Sequence, residues 1–263
     1  MTAAQLDVVN ITKRFGGLTA ISAASLSLRT GAIHGLIGPN GAGKSTMIGV
    51  ISGFIKEFSG HIRFDSHDLH ALDPAAIARL GICRTFQQAT PIAGLTVLEN
   101  VLVGMHIHHR ANVAAVLLRT PSMRREAKAM AVDAHRVLQE FALEDDADLE
   151  ASDLPFGKLR FLEIARAVVM RPRLLLLDEP AAGLNQSETE RLAEIIRRQV
   201  TLGVGILLVD HDVPFVFGLC DHVTVMNFGS VIASGKPDDV YRDVAVREAY
   251  LGPQEPVETG EWL

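Results

Sequence analysis

The sequence predicts an α/β fold with a parallel-stranded core, and three observations predict it. A glycine-rich loop, Gly38-Pro39-Asn40-Gly41-Ala42-Gly43-Lys44-Ser45-Thr46, stands between a short apolar run and an apolar helix start. Two later apolar runs, residues 174–177 and 205–209, each stop on acidic residues. Buried parallel strands do this when they deliver side chains to the edge of an open sheet, where ligands sit. The first thirty residues instead alternate apolar and polar, the period of half-buried antiparallel strands.

Taken in order, residues 6–9 and 24–28 read as antiparallel strands joined through Arg14-Phe15-Gly16-Gly17. Ile33-His34-Gly35-Leu36-Ile37 reads as a buried strand entering the glycine-rich loop, and residues 46–51 as the start of a buried helix. A turn is expected at Ser59-Gly60, then a strand over 61–64. Residues 80–86 form a further strand candidate ending at Gln87. From about Pro91 to Leu154 the character becomes helical, with one apolar-periodic segment over 97–103 and another over 122–141 capped by Ser122. The alternation of helix and strand resumes at Leu159. A helix through 162–166 runs to the breaker Pro172, and the leucine strand that follows ends at Asp178-Glu179-Pro180. The next helix starts near Ser187, whose spacing to Glu190 is that of a capping box. Strand 205–209 ends at Asp210-His211, and two more strands flank the Gly229 turn. The tail after Gly252, with Pro253 and Pro256, reads as loosely attached.

Composition bounds the function. The 263 residues suffice for one large α/β domain or a core with a small subdomain, and 48% of them are hydrophobic. A net charge of −6 and a pI near 5.9 argue against a protein that coats nucleic acid. Cys83 and Cys220 fall in apolar segments without metal-ligand spacing and read as reduced core residues of a cytoplasmic protein. No stretch approaches the roughly 18–20 apolar residues that a membrane span needs, so a membrane role requires a partner. The histidines at 61, 67, 70, 106, 108 and 109 lack a cysteine or carboxylate at ligand spacing, which argues against a zinc site.

The loop matches G-x-x-x-x-G-K-[ST] in its required setting of strand, loop and helix. Its glycines let successive N–H groups face phosphate oxygens, and the following helix adds its positive end. Lys44 can reach β- and γ-phosphates, and the Ser45 hydroxyl is placed to ligate Mg²⁺. Asp178 is suited to hold Mg²⁺, and Glu179 to polarise an attacking water. A strand ending in a solvated acidic turn is the commoner reading of such a pair, and the upstream loop tips the balance. His211 can donate to a γ-phosphate only if these companions surround it.

The glycine-rich loop, Gln87 after a strand, residues 174–179 and His211, in this order and spacing, resemble the ATP-binding subunit of an ABC transporter. The resemblance reaches to about Gly252. It implies a P-loop NTPase core, RecA-like and of ABC type, over residues 1–252, with an N-terminal antiparallel β-subdomain and a helical subdomain inserted at about 88–158. It also implies that Phe15 stacks on the adenine of ATP, that Gln87 approaches Mg²⁺ and senses the γ-phosphate, and that residues 181–185 cross to a second subunit. The stretches Arg84-Thr85-Phe86-Gln87, Glu179-Pro180-Ala181-Ala182-Gly183-Leu184-Asn185 and Ala249-Tyr250-Leu251-Gly252 are similar to the branch serving branched-chain amino acid uptake.

By that resemblance two subunits, identical or paralogous, face each other head to tail at the cytoplasmic face of the cell (inner) membrane. They drive a transmembrane permease fed by a solute-binding protein. In the signature segment, where the family usually has Leu-Ser-Gly-Gly-Gln, this chain has Leu154-Pro155-Phe156-Gly157-Lys158. That segment opens a helix and contacts the γ-phosphate held by the other subunit. Pro155 brings neither hydroxyl nor N–H, and Lys158 reads as a solvated cation rather than a phosphate contact. Two other readings stay open: a soluble ABC ATPase acting on ribosomes or DNA, and a regulatory subunit with weak hydrolysis of its own.

Overall fold

The computed structural model describes residues 5–85, 90–105 and 121–251, with 121–127 and 251 as backbone alone. Two sheets organise it. β1 (Gln5–Phe15) and β2 (Leu18–Arg29) form an antiparallel pair turned at Gly16-Gly17. β4 (Ser59–Phe64) pairs antiparallel with β1, and the short β5 (His67–Asp68) follows it, giving the order β2-β1-β4-β5. Ser59-Gly60 therefore starts a strand and is not a turn. The register slips between Val9 and Thr12, where Gly60 sits at φ 103 and a Cβ would lie 2.5 Å from the Asn10 carbonyl. Glycine marks a bulge and close backbone approach at that point.

The second sheet holds β3 (Ile33–Ile37), β6 (Ile82–Arg84), β7 (Leu174–Asp178), β8 (Gly205–Val209), β9 (His222–Asn227) and β10 (Ser230–Gly235). Its order is β10-β9-β3-β8-β7-β6, parallel throughout except for β10 on β9. Because side chains alternate across a strand, each strand feeds two cores. Ile37, Leu175, Leu177, Ile206, Leu208 and Val225 face one layer, and Leu36, Leu174, Leu176, Leu207, Val209 and Met226 the other. The second layer is closed by the antiparallel sheet and by α1 (Lys44–Ile51). Strands buried on both faces explain the unbroken apolar runs at 174–177 and 205–209.

Between β6 and β7 the described residues contain no strand element beyond a single bridge from Thr96 to Glu150. They hold α3 (Val97–Gly104), α4 (Pro121–Phe141), two 3₁₀ turns and α5 (Phe156–Val168), and α2 (Pro74–Arg79) lies just ahead of β6. Helix α4 opens one residue earlier than expected, at Pro121, so Ser122 falls in its first turn. Ala134, Val137, Leu138 and Phe141 form its buried stripe, packed with Val97, Val101 and Phe161 in the core that reaches the central sheet.

After β7 comes α6 (Gln186–Thr201), whose capping box is Asn185 with Glu188 rather than Ser187 with Glu190. Asn caps as well as Ser, and Glu190 is engaged by the Gln186 amide one turn back. Three further helices close the chain: α7 (Val213–Leu219), α8 (Pro237–Arg242) and α9 (Val244–Leu251). Cys83 and Cys220 are buried free thiols. Residues 253–263 of the expected tail, and His106, His108 and His109, lie outside the described residues.

Candidate nucleotide site

The glycine-rich loop joins the end of β3 to α1 at the middle of the parallel sheet. Gly38, Gly41 and Gly43 sit at φ 153, 80 and 101, backbone that a side chain resists. At Gly38 a Cβ would lie 2.1 Å from the Met226 carbonyl, and at Gly43 2.4 Å from the Ala20 carbonyl. The loop is thus wedged between β9 and β2, with only glycine fitting both seats. Helix α1 has Gly43 at its N-cap and no side-chain cap, so its first N–H groups stay available to an anion.

Lys44 is buried and turns back on its own loop, donating to the Gly38 carbonyl at 2.6 Å and the Pro39 carbonyl at 3.0 Å. Burial draws its pKa down from the ordinary value, while Glu179, Asp178 and Asp210 oppose that fall. Ser45 and Asn40 are exposed at the mouth of the loop. Phe15 ends β1 with nearly half its surface free, and the Lys13 ammonium lies 4.7 Å from its ring centroid. The Ala20–Gly43 approach brings this hairpin to the loop.

Asp178 closes β7 and is 1% exposed. Its Oδ2 accepts from Arg84 at 3.2 Å, while Oδ1 is buried without a hydrogen-bond partner. Burial raises its pKa, and the Arg84 guanidinium pulls the other way. A buried, unpartnered carboxylate oxygen beside a loop shaped for phosphate suits a hard divalent cation, so the donor set fits Mg²⁺.

Glu179 follows at φ 50, a left-handed backbone rarely taken by a glutamate, and its N–H donates to the Val209 carbonyl at 2.7 Å. The ends of β7 and β8 are tied together by that bond. Asp210 is fully buried and receives the N–H groups of Ala181, His211 and Asp212. Desolvation pushes its carboxyl up against those three bonds. The His211 ring stands outward, 62% exposed, with Nδ1 3.5 Å from Asp210 Oδ1. Gln87 lies outside the described residues.

Three participants were not picked out as site residues from sequence. Arg84 bridges Asp178 and the Ser52 hydroxyl, at 3.2 and 3.3 Å. Asp210 anchors both the loop after Glu179 and the backbone of His211. Tyr250 in α9 lines one cavity with Ile37, the residue before Gly38, and burial raises its pKa to about 12. Asp210 had a readable signal, since it follows β8 as Asp178 ends β7, whereas the other two depend on long-range packing.

The signature segment lies at the start of α5. Pro155 is its N-cap, at φ −55 and ψ 152, without a side-chain cap. Lys158 is ion-paired with Asp146 at 2.5 Å, so it is neither freely solvated nor turned to a distant ligand. The Phe156 ring fills the space beside Gly183, where a Cβ would meet it at 2.6 Å, and a Cβ at Gly157 would meet the Glu188 carboxylate at 2.1 Å. The signature helix and residues 181–185 therefore form one packed unit.

Comparison with known proteins places these features in a family. Residues 21–182 match the family described as ABC transporter, and residues 230–252 a second one, branched-chain amino acid ATP-binding cassette transporter. The chain belongs to the ABC transporter family. The cassette is 41% identical over 249 residues to the high-affinity branched-chain amino acid transport ATP-binding protein BraF of Pseudomonas aeruginosa, covering 94% of this chain and 97% of that one. It is 41% identical over 254 residues to LivG of Escherichia coli, a protein of the same description, covering 96% and 99%. Among solved structures, a nucleotide-free ATP-binding cassette from an ABC transporter superposes with a TM-score of 0.82 at 31% identity, covering 95% of this chain and all of that one. An ADP conformation of such a cassette gives 0.81 at 32%, covering 95% and 99%. ATP-binding subunits of this family work in pairs with membrane permease components, and no described helix of this cassette is long and apolar enough to cross a membrane.

Proposed function

We propose that the cassette hydrolyses ATP with Glu179 as the base, powering an importer of branched-chain amino acids or related small solutes. One observation carries the site assignment. The phosphate-shaped loop with Lys44, the carboxylates Asp178 and Glu179, and the Asp210–His211 pair all stand at the ends of adjacent parallel strands. The loop N–H groups and Lys44 bind the phosphates, and Phe15 stacks on adenine. Ser45, Asp178 and, by resemblance, Gln87 hold Mg²⁺, which when bound neutralises charge on the phosphate oxygens.

Glu179 orients the attacking water and takes its proton, while His211, steadied by Asp210, donates to the γ-phosphate. The strained backbone at Glu179 keeps its carboxylate aimed from a fixed strand end. A second cassette, identical or paralogous, completes the site with its signature segment. The helical insertion at about 88–158 docks on the permease at the cytoplasmic face of the cell membrane, and a solute-binding protein delivers the cargo. The relatives' names and the match at residues 230–252 support the cargo class.

Glu179→Gln tests the chemistry. It should keep the Kd for MgATP within about twofold and cut steady-state turnover by roughly 10²–10⁴. Undiminished turnover would remove Glu179 from the mechanism. ATPase activity of the assembled transporter, with its binding protein and leucine, isoleucine or valine present in turn, tests the cargo.

A further inference from the structure

We propose that Arg84 is a positioning residue for the divalent cation: it braces α1 against β7, the two elements that carry Ser45 and Asp178. The proposal rests on the reading of Asp178 as a Mg²⁺ ligand and adds a residue that acts through it.

The last torsion of an aspartate is broad, so the Asp178 rotamer alone leaves the plane of its two oxygens open. Among the described residues, the contact that fixes this plane comes from Arg84. Its Nη2 donates to Oδ2 at 3.2 Å, while the buried Oδ1 has no hydrogen-bond partner. With one oxygen pinned, the other is held in a set place. The donor is itself placed by its strand. β6 pairs with β7 from Ile82 to Arg84, and the Thr85 N–H donates to the Leu176 carbonyl at 2.9 Å. Donor and acceptor thus stand on neighbouring strands in fixed register.

The second arm of the guanidinium reaches the other element. Nη1 donates to the Ser52 hydroxyl at 3.3 Å, and that hydroxyl donates to the Ile48 carbonyl at 2.7 Å. Ser52 is the C-cap of α1, whose first turn holds Lys44 and Ser45. The helix is only eight residues long and buried over most of them, so a hold on its last turn steadies its first. The Phe54 ring flanks the guanidinium, with its centroid 5.8 Å from Cζ.

Charge and geometry predict opposite effects. As a point charge, Arg84 repels a second cation, and its removal would tighten metal binding. As a brace, it sets the carboxylate before a metal arrives, and its removal loosens metal binding. The fork decides between them. Its two terminal nitrogens engage the two elements at once, a reach that a single ammonium does not reproduce.

Two measurements on the full chain test this. Mn²⁺ titrated in at saturating ADP, with free Mn²⁺ followed by electron paramagnetic resonance, reads the metal site. Calorimetry of ADP in EDTA reads the phosphate loop alone. Arg84→Lys keeps a charge beside Asp178 and loses the fork, and it should weaken Mn²⁺ binding roughly three- to tenfold. Arg84→Met should weaken it roughly ten- to a hundredfold, with ADP affinity in EDTA within twofold of wild type for both. Arg84→Met leaves a buried carboxylate unpaired; where it does not fold, Arg84→Lys decides alone. Mn²⁺ affinity that is unchanged or tighter in Arg84→Lys overturns the proposal. So does an equal loss of ADP affinity in EDTA, which would make Arg84 merely structural. Wild-type Mn²⁺ affinity in Asp178→Asn would instead overturn the metal reading beneath it.

Discussion

Replacing Pro155 by Ser and Lys158 by Gln should raise ATP hydrolysis by the assembled transporter while leaving the fold in place. The stability side follows from the start of α5. Pro155 caps that helix without a side-chain acceptor, and Lys158 is its third residue. Ser and Gln at this spacing make a capping box, worth roughly 1 kcal/mol. Against this, removing a proline whose φ of −55 suits its ring costs about 0.4–1 kcal/mol through the freer unfolded chain. Loss of the partly exposed Lys158–Asp146 pair costs about 0.2–1 kcal/mol more. The sum lies within about 1 kcal/mol of zero, or a shift of no more than roughly 4 °C in melting temperature.

The catalytic side is larger. A hydroxyl donating to the charged γ-phosphate of the facing subunit contributes about 1.5–3 kcal/mol. If that bond strengthens in the transition state, the rate gain is roughly ten- to a hundredfold. Steady-state ATPase of the reconstituted transporter at saturating MgATP, beside calorimetry of the isolated cassette, separates the two effects. An unchanged or lower rate with the melting temperature preserved would refute the claim that Pro155 and Lys158 weaken the signature.

Two further expectations follow from packing and burial. Gly38→Ala places a Cβ against the Met226 carbonyl, a backbone atom that cannot swing aside. It should cost about 1–3 kcal/mol in denaturant unfolding and weaken MgATP binding at least tenfold; wild-type affinity would show the loop to be slacker than its contacts imply. His34 is buried against the Thr224 hydroxyl, and burial, helped by His222 at 4.9 Å, lowers its pKa to about 4. The unfolded chain, with a histidine near 6.5, then binds that proton more readily, so its contribution is whole above about pH 6.5 and lost on acidification toward pH 4. Unfolding free energy should fall by roughly 2–3 kcal/mol from this residue between pH 7 and 4. Asp178 and Asp210, pushed up by burial, act in the opposite sense, so the difference between wild type and His34→Gln is the informative quantity; parallel pH curves would exclude His34 as the source.

Much of the core was readable because its signals are local. The glycine-rich loop shows its chemistry within nine residues, and the runs 174–177 and 205–209 betray burial on both faces by lacking polar interruptions. Errors arose where two local rules competed. Asn185 and Ser187 are both sound caps, and it is Asn185 that closes the box, with Glu188 as its partner. Ser59-Gly60 has turn composition, yet Gly60 serves a bulge because its neighbour is the Asn10 carbonyl. What stayed hidden is long-range: Arg84 meeting Asp178, and Tyr250 sharing a cavity wall with Ile37. Neither contact leaves a periodicity or spacing in the chain.

The place of β3 in the sheet bears on how this protein comes into being. Both of its neighbours, β8 and β9, are made long after it. At ordinary rates of synthesis, the strand bearing the phosphate loop waits on the order of ten to thirty seconds on the ribosome for them. Met226, which seats Gly38, belongs to β9, the later of the two. Cellular ATP, however abundant, therefore cannot template the early folding of this chain. It can stabilise only a molecule in which β8 and β9 are already in place, which makes nucleotide binding a natural check on an assembled core.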